Sequence, residues 1–299
     1  MTVWRLPALF AALVALLAVV AAGCGGSAVA LPELTSFDTI ARKSSTADSA
    51  RFDLKVEMAL PGTAKALSFD AEGGFDTPAR RAQLTFDLSS LAELFKSFGS
   101  SFGGTVKGDL GSPEDWKLEV IQDGDTVYVR FPLIAKDLPA GKTWIKGDAK
   151  DLSQGQMSQF GSLAGTDPRD VFGLLKAVSG SIEAVGTEKI RGVETSHYRA
   201  TIDLAKVEQL VPEAQRQSLG GLDQSAKQAG LTGLPLEIWI DSDQRVRKLS
   251  IDLDAKQPGT DASVKAAVVV ELYDYGAPLE LELPPADQVA DAATLKQTS

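Results

Sequence analysis

Arg51-Phe52-Asp53-Leu54-Lys55-Val56-Glu57-Met58-Ala59-Leu60 decides the fold. Apolar side chains at 52, 54, 56, 58 and 60 alternate with charged ones at 51, 53, 55 and 57. A period of two belongs to a strand, whose successive side chains leave opposite faces. The stretch therefore predicts a strand with one apolar and one wet face. Such a strand needs neighbours, and its apolar face needs a cover.

The same alternation recurs on both sides of that stretch. Pro61-Gly62 supplies a turn. Leu67, Phe69 and Ala71, then Ala82, Leu84, Phe86 and Leu88, continue it as an antiparallel meander. Trp116, Leu118 and Val120 lead through Asp123-Gly124, a hairpin turn signal, into Val127, Val129 and Phe131, and Thr143–Lys146 adds a short strand. Ile182–Val185 and Glu188–Leu204 follow. In the second, Tyr198, Ala200, Ile202 and Leu204 oppose His197, Arg199, Thr201 and Asp203. Leu236, Ile238 and Ile240 turn at Asp241-Ser242-Asp243-Gln244 into Leu249, Ile251 and Leu253, and Val264 to Leu272 forms the last long strand. This gives ten or eleven strands by the alternation test.

Between them the period shifts toward 3.6. Glu33–Ser45 carries Leu34, Phe37, Ile40 and Ala41 on one face. Leu91, Leu94, Phe95 and Phe98 repeat at helical spacing, and Val171, Phe172, Leu174, Leu175 and Val178 follow a Thr166-Asp167-Pro168 helix start. Ala205–Ala229 is polar and helix-prone, with Val207, Leu210 and Val211 as its stripe. Gly99–Gly104 and Asp148–Thr166 predict loops, and Pro284-Pro285 ends the ordered part. The chain is expected to be α+β: one domain over 33–285, then a flexible tail over 286–299.

The N-terminus is an export signal. Arg5 precedes an apolar run from Leu6 to Ala22, shorter than the ~20 residues that span a bilayer comfortably. Ala21-Ala22-Gly23-Cys24 resembles a bacterial lipobox, with Ala21 where Leu is usual. Cys24 is the only cysteine of the chain, so no internal disulfide is available. An ordinary signal peptide with a stray cysteine is the alternative. As a lipoprotein, residues 1–23 are removed, Cys24 carries acyl chains (palmitate among them), and 24–32 tethers the domain to the extracytoplasmic face of the cell membrane. Extended, about eight tether residues reach roughly 25 Å.

Charge removes other classes. The chain has 30 Lys+Arg against 40 Asp+Glu, a net of −10, and losing Arg5 with the signal makes it −11. Phosphate contacts to DNA or RNA need clustered cations, so no nucleic-acid partner is expected. An acidic surface is repelled by anionic headgroups, leaving membrane association to the anchor.

No catalytic constellation stands out, and no enzyme is predicted. Gly99-Ser100-Ser101-Phe102-Gly103 matches G-x-S-x-G, but a nucleophile elbow has a strand before the serine and a helix after it, the reverse of this order. The one histidine, His197, would have to be its base. Asp241-x-Asp243 opens like a calcium loop and then lacks the ligand at Arg245 and the glycine at Val246, so it reads as a hairpin turn. With no Cys/His cluster and no phosphate-loop fingerprint, no metal or cofactor is predicted.

The apolar faces remain. Two covers are open: a self-covered sandwich or barrel, or a curved sheet covered only in part by short helices, which leaves a dry apolar cavity suited to acyl chains. By alternation the wall of such a cavity is Phe52, Leu54, Val56, Phe69, Leu84, Phe86, Val129, Phe172, Leu175, Tyr198, Ile202, Ile238, Ile240, Leu249, Ile251, Val268 and Val270. Each of these is equally compatible with packed core.

Val185-Gly186-Thr187-Glu188-Lys189-Ile190-Arg191-Gly192-Val193-Glu194-Thr195-Ser196-His197-Tyr198-Arg199-Ala200, then Leu234-Pro235-Leu236-Glu237-Ile238-Trp239-Ile240-Asp241 and Val246-Arg247-Lys248-Leu249, resemble the actinobacterial LppX/LprG-type lipoproteins of LolA-like fold. The lipobox, the strand at Phe52–Leu60 and Trp144-Ile145-Lys146 belong to the same resemblance. It implies a curved antiparallel half-barrel whose concave face is covered by inserted short helices. It implies binding of lipid or lipoglycan acyl chains and their carriage across the envelope, with a membrane transporter as a further partner. The alternative on the same fold is an envelope sensor or protein-interaction module without lipid transport.

Overall fold

The alternation at 51–60 becomes the central strand of a single sheet. The computed structural model describes residues 36–59, 66–90, 92–93, 111–112, 115–135, 138–148, 168–210, 233–256 and 263–295. Among these the strands are β1 (Ser49–Ala59), β2 (Leu67–Asp76), β3 (Arg81–Asp87), β4 (Lys117–Asp123), β5 (Thr126–Arg130), β6 (Trp144–Asp148), β7 (Val178–Ile190), β8 (Val193–Asp203), β9 (Gly233–Asp241), β10 (Val246–Lys256), β11 (Ser263–Tyr273) and β12 (Val289–Asp291). They form one curved sheet in the order β12-β6-β5-β4-β3-β2-β1-β11-β10-β9-β8-β7. Every pairing is antiparallel except β12 with β6.

Register turns the amphipathic strands into two continuous faces. Tyr198, Ile238, Leu249, Val270, Leu54, Ala71, Phe86 and Leu118 stand opposite one another across eight strands. One residue over, His197, Trp239, Lys248, Glu271, Asp53, Glu72, Thr85, Glu119 and Arg130 form the corresponding polar row. A slip of one residue anywhere would put charge into the apolar row, so the pattern itself fixes the pairing.

Helix α1 (Phe37–Ser45) lies on the apolar face. Ser36 caps its N-terminus, accepting from the Thr39 amide, and Phe37, Ile40, Ala41 and Ser44 are buried at helical spacing. It packs against a 3-10 segment, Pro168–Ala177, whose Phe172, Leu175 and Ala177 are fully buried. The Ser44 hydroxyl accepts from the Val246 amide at 3.0 Å, and Lys43 Nζ donates to the Asp243 carbonyl at 3.2 Å, fixing the helix end to the β9–β10 turn.

Four elements differ from the sequence expectation. The run at 171–178 is 3-10 rather than α-helical, with Gly173, a poor helix former, in its middle and Val178 already in β7. The strand expected over Glu188–Leu204 is a hairpin: Arg191 and Gly192 both take positive φ, 48° and 82°, the conformation of a two-residue turn. A short helix, α2 (Pro132–Ala135), precedes β6. The tail expected to be flexible from 286 instead makes a 3-10 turn (Ala286–Gln288), β12 and a short helix (Ala292–Leu295). Ala290 is buried there and the main chain covers the edge of β6, which local sequence around Pro284-Pro285 does not announce.

Several expectations lie outside the described residues: the export signal, the lipobox with Cys24, the tether, the Pro61-Gly62 turn and the Gly99–Gly104 loop. So do most of the Asp148–Thr166 loop, all but residues 92–93 of the helix at 91–98, and the helix-prone stretch beyond α3 (Leu204–Leu210).

Candidate functional site

The two rims of the sheet are built differently. At one, strands are joined by tight turns: 77–80, with Arg80 at φ 54°; Gly124 at φ 64°; Arg191-Gly192; and 242–245, with Gln244 at φ 62°. At the other, the strands end at Ala59, Asp87, Asp203 and Lys256, after which the longer connections follow in sequence.

On the central strands β1, β10 and β11 burial of the apolar face follows the same division, although Leu67, Leu118, Ile202 and Leu236 near the long-connection rim are buried too. On β1, Ala50 and Phe52 near the tight-turn rim are buried, while Leu54, Val56 and Met58 are half-buried. On β10, Val246 and Leu249 are sealed at 0 % and 1 % exposure, while Ile251 and Leu253 are half-buried. On β11, Leu272 and Val270 are buried, while Val268 and Ala266 are half-buried. Among the described residues, α1 and the 3-10 segment pack on the half of these three strands where the side chains are sealed.

The seventeen positions picked from alternation sort accordingly. Phe52, Phe172, Leu175, Tyr198, Ile202, Ile238, Ile240, Leu249 and Val270 lie in the packed cluster with Phe37, Ile40 and Ala41. Val129 lies in a second cluster with Leu118, Val120, Val127 and Phe131. The other seven, Leu54, Val56, Phe69, Leu84, Phe86, Ile251 and Val268, are half-buried and form a strip between the clusters. Pairing joins the strip directly: Val56 faces Phe69 and Val268, and Val268 faces Ile251. Met58, Leu253 and Ala266 extend it to the long-connection rim, Met58 opposite Ala266 and Ala266 opposite Leu253. The alternation that marks Val56 marks these three as well. A cleft of about 280 Å³ near that rim lies mainly on the polar face, where Glu57, Asp252 and Ala267 stand opposite one another and Ala59, Asp254 and Lys265 do the same.

A second cleft, about 410 Å³, lies off this face at the end of α1, between Lys43, Thr46, Asp48, Asp243 and Arg245. Nearby, Tyr275 donates to the Val246 carbonyl at 2.7 Å, and burial pushes its phenol far above the usual pKa.

His197 and Asp241, both weighed for chemistry, are engaged in contacts within the sheet. His197 stacks on Trp239 with ring centroids 4.1 Å apart. Its Nε2 lies 3.3 Å from Glu237 Oε2, within ion-pair distance but out of line for a hydrogen bond. The Asp241 carboxylate takes the Arg245 amide at 2.9 Å and Arg247 Nε at 2.7 Å, which closes the turn. Among the described residues no three His, Cys, Asp or Glu side chains are grouped to hold a metal. No helix among them is long and apolar enough to cross a membrane. The G-x-S-x-G stretch lies outside the described residues.

No family model matches the chain. A Streptomyces griseus protein, an uncharacterized 31.2 kDa protein in the rplA-rplJ intergenic region, is 26 % identical over 156 residues. That match covers 50 % of this chain and 48 % of the relative, so the chain spans about half the length of the curated relative it matches. Among solved structures, Mycobacterium tuberculosis lipoprotein LppX matches over 82 % of this chain and 98 % of its own, at 16 % identity and a TM-score of 0.41. Mycobacterium bovis LprF matches over 84 % and 95 %, at 15 % identity and a TM-score of 0.40. The chain is similar to the LppX and LprF lipoproteins. A putative outer membrane lipoprotein-sorting protein domain from Vibrio parahaemolyticus also matches, over 82 % of this chain and 92 % of its own, at 9 % identity and a TM-score of 0.25.

Proposed function

We propose that the protein is a membrane-anchored lipoprotein that seats lipid or lipoglycan acyl chains on the half-buried apolar strip and carries them across the cell envelope. The observation that carries this is the graded burial of the apolar face, sealed beside Val246 and Leu249 and thinly covered at Leu54, Val56, Phe69, Phe86, Ile251 and Val268. A contiguous, partly covered apolar strip is the kind of surface a soluble domain keeps for a partner. An acyl chain laid on it gains about 0.8 kcal/mol per buried methylene relative to water. Cys24 is the anchor, and the strip does its work without covalent chemistry. The sequence resemblance to LppX/LprG-type lipoproteins supports the same reading.

Lipid extraction from the protein purified out of its own membranes, followed by mass spectrometry, is expected to return acylated lipid in stoichiometric amount. Delipidated protein is expected to take up a pyrene-labelled fatty acid. Protein that carries no lipid and takes none up refutes the carrier and leaves an envelope interaction module on the same sheet.

A further inference from the structure

The β7–β8 hairpin is the outermost wall of the sheet, yet its tip touches the centre. Strands β9 and β10 separate β8 from β11, and β1 lies beyond that. Even so, Arg191 at the hairpin turn donates to Glu271 on β11 through Nε at 2.8 Å and to Asp53 on β1 through its other arm. Its guanidinium lies 3.8 Å from the centroid of the Tyr273 ring, and the Tyr273 hydroxyl donates to the same Asp53 at 3.0 Å. To reach these partners the tip must fold back across the polar faces of β9 and β10.

Burial agrees with that path. Trp239 belongs to the polar row but is 4 % exposed, and its indole N–H donates to Glu188 of the hairpin at 2.7 Å. Ile190, one residue before the turn, is buried although β7 is otherwise largely exposed. Thr195 closes the hairpin on itself, donating to the Glu188 carbonyl at 2.6 Å. The pairings at either side of this wall are interrupted: β7 loses register at 179–183 and 184–186, and β10 between Val246 and Lys248. Such interruptions are where a sheet bends.

We infer that the Arg191 fork is a latch that holds the β7–β9 wing against the centre of the sheet and thereby sets how widely the apolar face opens. The wing carries Tyr198, Ala200, Ile202 and Ile238 of the packed cluster. Its swing about the β9–β10 irregularity would separate them from Leu249 and Val270 on the other side. The latch is electrostatic and only partly buried: Arg191, Asp53 and Glu271 side chains keep 39 %, 32 % and 29 % of their exposure. Salt therefore weakens it. Its role in acyl-chain entry rests on the proposed carrier function; the latch itself does not.

Two measurements separate the latch from that function. Amide exchange in β7 and β8 is expected to accelerate about tenfold in Arg191→Ala, and likewise in the Asp53→Asn, Glu271→Gln pair, equivalent to about 1.4 kcal/mol. Wild-type protein in 1 M salt serves as the variant-free version. Pyrene-labelled fatty acid is then expected to enter and leave Arg191→Ala faster by a similar factor, with little change in affinity. Unchanged exchange in the variants and in high salt overturns the latch whatever the lipid result. Accelerated exchange with unchanged entry and exit rates overturns its gating of the strip. A wild type that takes up no probe defeats the carrier proposal alone.

Discussion

Phe172→Ala and Phe86→Ala should behave differently, although both remove a benzyl ring from the same side of the sheet. Phe172 is 1 % exposed and sits in the packed cluster with Leu175, Ile40 and Ala41. Truncating a fully buried phenylalanine removes its transfer free energy and leaves a cavity, costing about 3–5 kcal/mol. Phe86 is half-buried in the strip, opposite Ala71 and Leu118. Full burial of such a side chain is worth about 1.5–3 kcal/mol, so a half-buried ring at the margin of its cluster should cost about 1 kcal/mol. Urea unfolding with a common slope would give a midpoint clearly lowered for Phe172→Ala and barely moved for Phe86→Ala. In heat, at roughly 2–4 °C per kcal/mol for a domain of this size, the first should lose about 6–20 °C. Uptake of a pyrene-labelled fatty acid should show the reverse ranking: weakened in Phe86→Ala, and close to wild type in Phe172→Ala at temperatures where that variant is folded. Equal, large losses of stability for both would mean that the strip is packed core, and the seat for an acyl chain would be gone.

Three further outcomes are expected. The Tyr275 phenol is pushed up chiefly by burial, so above about pH 10 the unfolded chain loses a proton that the folded one keeps. Stability should therefore fall as pH rises past that point, and Tyr275→Phe should flatten the fall while costing about 1 kcal/mol at neutral pH through its lost hydrogen bond to Val246; a chemical-denaturation series from pH 7 to 11 checks both. Gly73→Ala would place a Cβ 2.3 Å from the Gln83 carbonyl and 3.0 Å from the Phe52 ring, forcing β2 and β3 apart; a loss of about 1–3 kcal/mol in urea unfolding is expected. Cys24→Ala should abolish labelling by a palmitate analogue and move the protein from the membrane to the soluble fraction; retention of label would place the lipidated residue elsewhere.

Much of this molecule is legible from alternation because an amphipathic strand leaves little choice. Phe52, Leu54 and Val56 must share a face, and so must Ile238 and Ile240 or Val268 and Val270. Once each strand has a greasy side, only a register that aligns those sides avoids burying charge. The fork from Arg191 to Asp53 and Glu271 was not legible, since its partners lie 138 and 80 residues away in sequence. Nor was the docking of Val289–Asp291 beside Trp144, because a three-residue strand has no period of its own.

Alternation therefore determined that the chain is built of amphipathic strands and named most of their apolar positions, while a sandwich or barrel and a single curved sheet both remained open; the structure shows the single sheet. Alternation did not determine which of those residues are sealed. Leu249 and Ile251 are two positions apart with the same chemistry, yet one is 1 % exposed and the other half-buried. Leu249 lies inside the cluster that α1 and the 3-10 segment share, and Ile251 packs at its margin. Period is a property of neighbours along the chain, whereas cover depends on where distant segments come to rest, and only the tertiary structure decides that.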